Sequence, residues 1–326
     1  MRVTTTDVLA DARLSAEPAL PLIVQPQQAG VDDPVEWAAS HRGRIAELLQ
    51  LSGGILFRGF TAGSVETFQR FMLAVSGEPL EYLERTSPRH AIGDRVYTST
   101  DHPPKQEIYL HNEQSYNVVW PMRIFFHCVE APAAGGGTPL ADCRKVYQRL
   151  SPETRQRLEE RGYMYTRYFG SGFGLSWQEA FQTDESAVVE QYCQDHDIEC
   201  SWEPDDSLTT RQIRPVSRRH PVTGEWTWFN HLTFFHVSTL GPVGEKALLL
   251  LGKENLPNNT YYADGSDIEP AVLDELRAAY AAEKVVVPWQ EGDILMLDNM
   301  LTAHGREAFT PPRRIAVGMT EPYTGS

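Results

Sequence analysis

The string Leu110-His111-Asn112-Glu113 sets an imidazole and a carboxylate two residues apart. On an extended strand that spacing turns both side chains to one face, where they can grip a single metal ion. With ten histidines and 44 acidic residues in the chain, roughly one His-x-acid pair is expected by chance, so this pair alone carries little weight. Far downstream, Asp298-Asn299-Met-Leu-Thr-Ala-His304-Gly-Arg306 supplies another histidine, and His304 is the natural third ligand. Two histidines and one carboxylate form the facial donor set that holds Fe(II) while leaving positions open for a cosubstrate and O2. A ligating imidazole also needs an outer partner for its second nitrogen. The plain alternatives are a backbone-bonded His111, a solvated Glu113 and a His304 that caps a turn.

Ten residues after His304, Arg314 opens the last strand, where its planar guanidinium can take a carboxylate through two parallel hydrogen bonds. Arg313 competes for that role, and strand alternation lets only one of the two enter a barrel. Gly135-Gly136-Gly137-Thr138, read alone, is an ordinary flexible turn.

The elements that must hold these residues are mostly short strands. Asp33-Pro34 and Gly53-Gly54 bracket a helix over roughly 34–51, followed by a buried strand from Gly54 and a second helix from Ser64 to about Gly77. Between Arg95 and Phe126, β-branched and aromatic stretches alternate with Pro, Asp and Asn breaks, as strands joined by loops do. Ser151 opens a charged helix, and Ser176-Trp-Gln-Glu179 is a capping box leading into mixed helix and loop, an insertion between strands. Residues 208–236 read as one β-hairpin around Pro221–Gly224; 244–252 and 268–282 have helical composition. Val285–Val287, Ile294–Leu297 and 314–321 close the chain as strands. This pattern fits a mostly-β fold with α decoration, a double-stranded β-helix (jelly-roll, cupin-like) core carrying helical insertions. We expect a mobile tail over 1–20 and a single domain over 21–326.

Composition narrows the function. The 326 residues are 41% hydrophobic and 22% charged, enough for a substantial core. A net charge of −15 disfavours nucleic acid and anionic membrane as partners. Cys128, Cys143, Cys193 and Cys200 are scattered without a Cys-x-x-Cys pair, which points to a reducing, cytoplasmic setting. Neither a signal peptide nor a membrane span is expected.

Taken together, His111-Asn-Glu113, Gly135-Gly-Gly-Thr138, Asn299-x4-His304-Gly-Arg306 and Arg313-Arg314 resemble, in order and interval, the taurine dioxygenase/clavaminate synthase-like family of Fe(II)/2-oxoglutarate dioxygenases. The likeness runs from about residue 21 to 322. It implies Fe(II) on His111, Glu113 and His304, 2-oxoglutarate on Thr138 and Arg314, and O2 as second cosubstrate, with succinate and CO2 released. Glu113 stands where taurine dioxygenase carries aspartate, a change other branches share. It also sets the chain apart from the halogenating branch, which replaces the carboxylate by a small residue to admit chloride.

His111-Asn-Glu-x-Ser-Tyr116, Trp228-Phe-Asn230 and Tyr261-Tyr-x-Asp-Gly265 resemble the syringomycin aspartyl hydroxylase-like branch. That resemblance implies hydroxylation of an unactivated C–H bond in a small, amino-acid-derived substrate of secondary metabolism. Desaturation or cyclisation with the same oxidant is an alternative, as is action on a carrier-protein-tethered aminoacyl group. Tyr116, Asn230 and Arg306 are candidate substrate or outer-shell contacts, against packing or turn roles. Arg211, Arg214, Arg218 and Arg219 are a candidate docking patch for an acidic carrier, although the overall charge leans toward a free substrate. A cupin-like metal-binding isomerase or binding protein is the reading from a different class.

Overall fold

The computed structural model describes residues 19–26, 33–60, 63–80, 84, 86, 96–98, 102–170, 172 and 174–325, and the backbone of 3–4 and 91–93. Among these, an eight-stranded sheet runs in the order Val3–Thr4, Leu22–Gln25, Gly54–Phe57, Ile294–Asp298, Val119–Glu130, Arg314–Thr324, Val96–Thr98, Ala91–Gly93. A four-stranded sheet, in the order Val285–Val287, Thr138–Asp142, Thr302–Arg306, Ile108–His111, packs on it. Leu56, Ile124, Phe126, Leu295 and Val317 of the first sheet meet Leu140 and Val287 of the second in one buried cluster. Two sheets closed face to face in this way form the jelly-roll core.

Alternation explains why the central strands are apolar throughout. Leu56, Ile124 and Leu295 point between the sheets, whereas Ile55, Phe125 and Met296 point out to the helices Arg42–Ser52 and Val65–Val75, meeting Leu48, Phe68, Phe71 and Met72. Both faces are thereby covered, and every residue of Ile294–Asp298 is buried.

Local chemistry sets the helix ends. Asp33 accepts from Val35 N at 2.8 Å, with Pro34 in the first turn. The expected helix over 34–51 is two helices, Pro34–Ser40 and Arg42–Ser52, separated at His41, whose ring stacks on Trp37. Gly53 ends the second at φ 76°, and a Cβ there would sit 2.5 Å from Thr302 Oγ1. The capping box of Ser176 and Glu179 forms as expected.

The insertion between the core strands carries a sheet of its own, in the order Glu199–Trp202, Leu208–Arg214, Tyr163–Phe169, Asn259–Tyr262. This corrects the single hairpin expected over 208–236. Leu208–Arg214 pairs with Tyr163–Phe169, and the hairpin is confined to Ser217–Arg219 and Trp226–Trp228. Pro215 lies between them and has no N–H to extend a ladder. The tail expected over 1–20 falls largely outside the described residues; within it, Val3 and Thr4 pair in parallel with Val24 and Gln25.

Candidate metal centre and active site

His304 and His111 are cross-strand partners in the four-stranded sheet, with ring centroids 4.6 Å apart. The strand Ile108–His111 ends at the first ligand, and Glu113 sits in the turn beyond it. The same-face argument from an extended strand therefore does not describe Glu113. Its carboxylate nevertheless reaches the pair, with Oε2 4.0 Å from His304 Nε2. One donor atom from each of His111, Glu113 and His304 lies within 4.8 Å of the others, close enough for one ion to draw together. His111 Nδ1 is 2.8 Å from the carbonyl of Tyr109. That carbonyl can only accept, so the proton is on Nδ1 and the Nε2 lone pair is left for a metal.

A cavity of about 960 Å³ opens over the cluster. Its core wall includes Phe126, Thr138, Arg306, Arg313 and Val317; its outer wall comes from the insertion, with Phe234, Phe235, Val237 and Leu248. Thr138 Oγ1 accepts from Trp289 Nε1 at 3.0 Å. Arg313 donates through Nε to Gly136 O at 3.0 Å. Burial, aided by the neighbouring Arg306, pushes the Arg313 pKa down to about 10.

The structure reverses the expected choice between the two arginines. Arg314 is exposed, whereas Arg313 lines the cavity. Ile315, Val317 and Met319 face the space between the sheets, and Arg313 continues their parity.

Two of the candidate substrate or outer-shell residues do not line the cavity. Tyr116 is buried in the core among Tyr165, His231 and Phe235, and its hydroxyl donates to Glu84 O at 3.0 Å. Asn230 makes a turn, donating to Val216 O and accepting from Leu232 N. Arg306 lines the cavity, but its guanidinium binds the carbonyls of His102, Pro103 and Gln106, which fastens that loop to the His304 strand. The four arginines of the candidate docking patch are also dispersed. Arg214 is buried on the carbonyls of Tyr116 and His196, Arg211 pairs with Glu199, and Arg218 and Arg219 lie over Trp120 and Trp226.

His231 belongs to the site and escaped the sequence reading. Its ring is 5.6 Å from that of His111, and it shares a 2.6 Å hydrogen bond with Ser115 Oγ. Burial holds its pKa well below the usual histidine value, so the ring is neutral. Its one sequence signal was adjacency to Trp228-Phe-Asn230. His236, on the outer wall, is lowered to about 4 by burial and by Arg277.

A jelly roll with two histidines and a carboxylate at the foot of a cavity has the architecture of the non-haem iron oxygenases. Comparison with known proteins gives the family. Residues 15–320 match the Taurine catabolism dioxygenase TauD, TfdA family. The dapdiamide synthesis protein DdaC of Enterobacter agglomerans is 39% identical over 279 residues, which is 85% of each chain. A clavaminate synthase-like protein of Arabidopsis thaliana is 28% identical over 317 residues, covering 92% of this chain and 93% of the relative. Among solved structures, AAD-2 in complex with Mn(II) and N-oxalylglycine superposes with a TM-score of 0.55 at 13% identity, covering 93% of this chain and 95% of that one.

The chain belongs to the taurine dioxygenase/clavaminate synthase-like family and is an Fe(II)- and 2-oxoglutarate-dependent dioxygenase, with O2 as the second cosubstrate. Family membership decides against the metal-binding isomerase or binding protein. No helix among the described residues is long and apolar enough to cross a membrane.

Proposed function

We propose that His111, Glu113 and His304 hold one Fe(II), that Thr138 and Arg313 receive the distal carboxylate of 2-oxoglutarate, and that the enzyme hydroxylates an unactivated C–H bond of a small, amino-acid-derived substrate in secondary metabolism. The observation that carries this reading is the convergence of three donor side chains at the foot of a cavity whose wall also holds Arg313 and Thr138. Iron, 2-oxoglutarate and O2, once bound, supply the oxidising power, with succinate and CO2 as by-products.

The chain's own residues orient and exclude. Tyr109 O fixes the tautomer of His111, and the Arg313 cation with the Thr138 hydroxyl offers charge-assisted and neutral hydrogen bonds to a carboxylate. Phe234, Phe235, Val237 and Leu248 give the outer wall an apolar surface that keeps water from the reacting centre. Glu113 is a full carboxylate at the position the halogenating branch vacates for chloride, which favours hydroxylation.

A free amino acid or small derivative fits better than a carrier-bound group, because the net charge of −15 repels an acidic carrier and the four arginines do not form one patch. A relative named for dapdiamide synthesis supports a biosynthetic role. Four free thiols, three of them buried, support a cytoplasmic location.

The test has two arms. Anaerobic addition of Fe(II) and 2-oxoglutarate should raise a visible charge-transfer band that His304→Ala abolishes; a variant retaining the band and full turnover removes the triad from the account. Mass spectrometry of a panel of free and carrier-thioester amino acids should show gain of one oxygen on a free substrate. Loss of two hydrogens would establish desaturation or ring closure instead, and product from the thioester alone would overturn the free-substrate reading.

A further inference from the structure

Glu113 poses a mechanical problem. A metal-binding carboxylate must be held to within a fraction of an ångström, yet Glu113 lies beyond the end of its strand, followed by Gln114 at φ 52°. The β-ladder that fixes His111 opposite His304 does not extend to it.

The support comes from the other side of the site. Asn299, fully buried in the turn between Ile294–Asp298 and Thr302–Arg306, places its side-chain amide against the Glu113 backbone. Asn299 Oδ1 accepts from Glu113 N at 2.9 Å, and Asn299 Nδ2 donates to Glu113 O at 2.8 Å and to Pro121 O at 2.8 Å. The amide thus grips both backbone groups of one residue, as a paired strand would. Asn112, the residue between the two ligands, returns the contact by donating to Asn299 O at 2.6 Å. The turn itself is pinned by Asp298, whose Oδ1 accepts from Met300 N and Leu301 N, both at 3.1 Å.

We propose that Asn299 is the positioning residue for the Glu113 carboxylate: its amide stands in for the missing ladder and ties the turn before the His304 strand to the turn after the His111 strand. One side chain then sets the geometry between the carboxylate and the distal histidine, and Asn112 reinforces it. This assignment rests on the metal-ligand reading above, with Asn299 acting on the metal only through Glu113.

The test uses Mn(II) alone as probe, with the free ion followed by electron paramagnetic resonance during titration of the full chain. Asn299→Ala should weaken Mn(II) binding about 10–100-fold, the usual effect of removing an outer-shell partner. In a Glu113→Ala background the same substitution should change Mn(II) binding little, because its route to the metal is gone. A purely structural role would lower the unfolding temperature equally in both backgrounds and leave no such difference. Should Asn299→Ala fail to fold, Asn112→Ala carries the test, with a smaller loss that again disappears when Glu113 is absent. Unchanged Mn(II) affinity in a folded variant overturns the proposal, as does an equal loss with and without Glu113. If His304→Ala binds Mn(II) as tightly as the parent, the metal triad itself falls, a result distinguishable from either of these.

Discussion

Replacing Arg313 by alanine removes one of the two arginines that line the cavity, while replacing Arg314 removes an exposed side chain. Arg313 is anchored by its Nε on Gly136 O at 3.0 Å, so its guanidinium is already oriented before any ligand arrives. A hydrogen bond to a charged group contributes about 1.5–3 kcal/mol. Its loss corresponds to roughly 10- to 150-fold in affinity. Arg306 lies close enough to depress the Arg313 pKa and remains in the variant, so its residual attraction for the dianion favours the lower part of that range. The assay is anaerobic titration of the Fe(II) protein with 2-oxoglutarate, repeated with Mn(II) and N-oxalylglycine. Arg313→Ala should weaken cosubstrate binding by that factor while Mn(II) binding alone stays within about twofold, since no ligand is touched. Arg314→Ala should match the parent in both. A damaging Arg314→Ala beside a silent Arg313→Ala would refute the argument, because it would show that the parity of Ile315, Val317 and Met319 does not govern the arginine that meets the cosubstrate.

Gly305 stands between His304 and Arg306, and a Cβ there would fall 2.5 Å from Ile108 O, so Gly305→Ala should force the two histidine-bearing strands apart. We expect a loss of about 1–3 kcal/mol in urea unfolding together with weaker Mn(II) binding; a fully stable variant would show that this strand pair tolerates displacement. His236 Nδ1 accepts from Ser238 N at 3.2 Å, and its folded pKa of about 4 lies below the ordinary 6.5. The unfolded chain therefore binds this proton more tightly, and stability should fall as pH drops from 6.5 toward 4 and no further below that. The ceiling is about 3 kcal/mol, reduced by partial exposure of the ring. His236→Asn, whose Oδ1 can take over the acceptor role, should flatten that slope in urea unfolding across the same window; an unchanged slope would assign the acid sensitivity to other groups.

Much of this protein was legible in the chain because the relevant physics is local. Asp33-Pro34, Gly53 and the Ser176–Glu179 box specify helix ends through contacts a few residues long, and the apolar runs around Ile124 and Leu295 mark strands covered on both faces. The types and intervals of His111, Glu113 and His304 were likewise visible, since donor chemistry depends on residue identity. Even the parity that turns Arg313 inward was present in Ile315, Val317 and Met319, had it been extended back to the arginines.

Tertiary structure alone decided what depends on closing the chain over long separations. Asn299 meets Glu113 across 186 residues, and nothing near either one announces the contact. Tyr116 and Asn230 stood out because they belong to motifs shared with a family branch, but burial and backbone partners give them packing and turn roles. His231 faces the metal cluster only because the insertion folds back over the core sheet, bringing the segment Leu232–Phe235 against His111. Strand and cap signals act over a turn or two of chain, whereas a pocket is assembled from surfaces that become neighbours only after the two sheets and the insertion have packed.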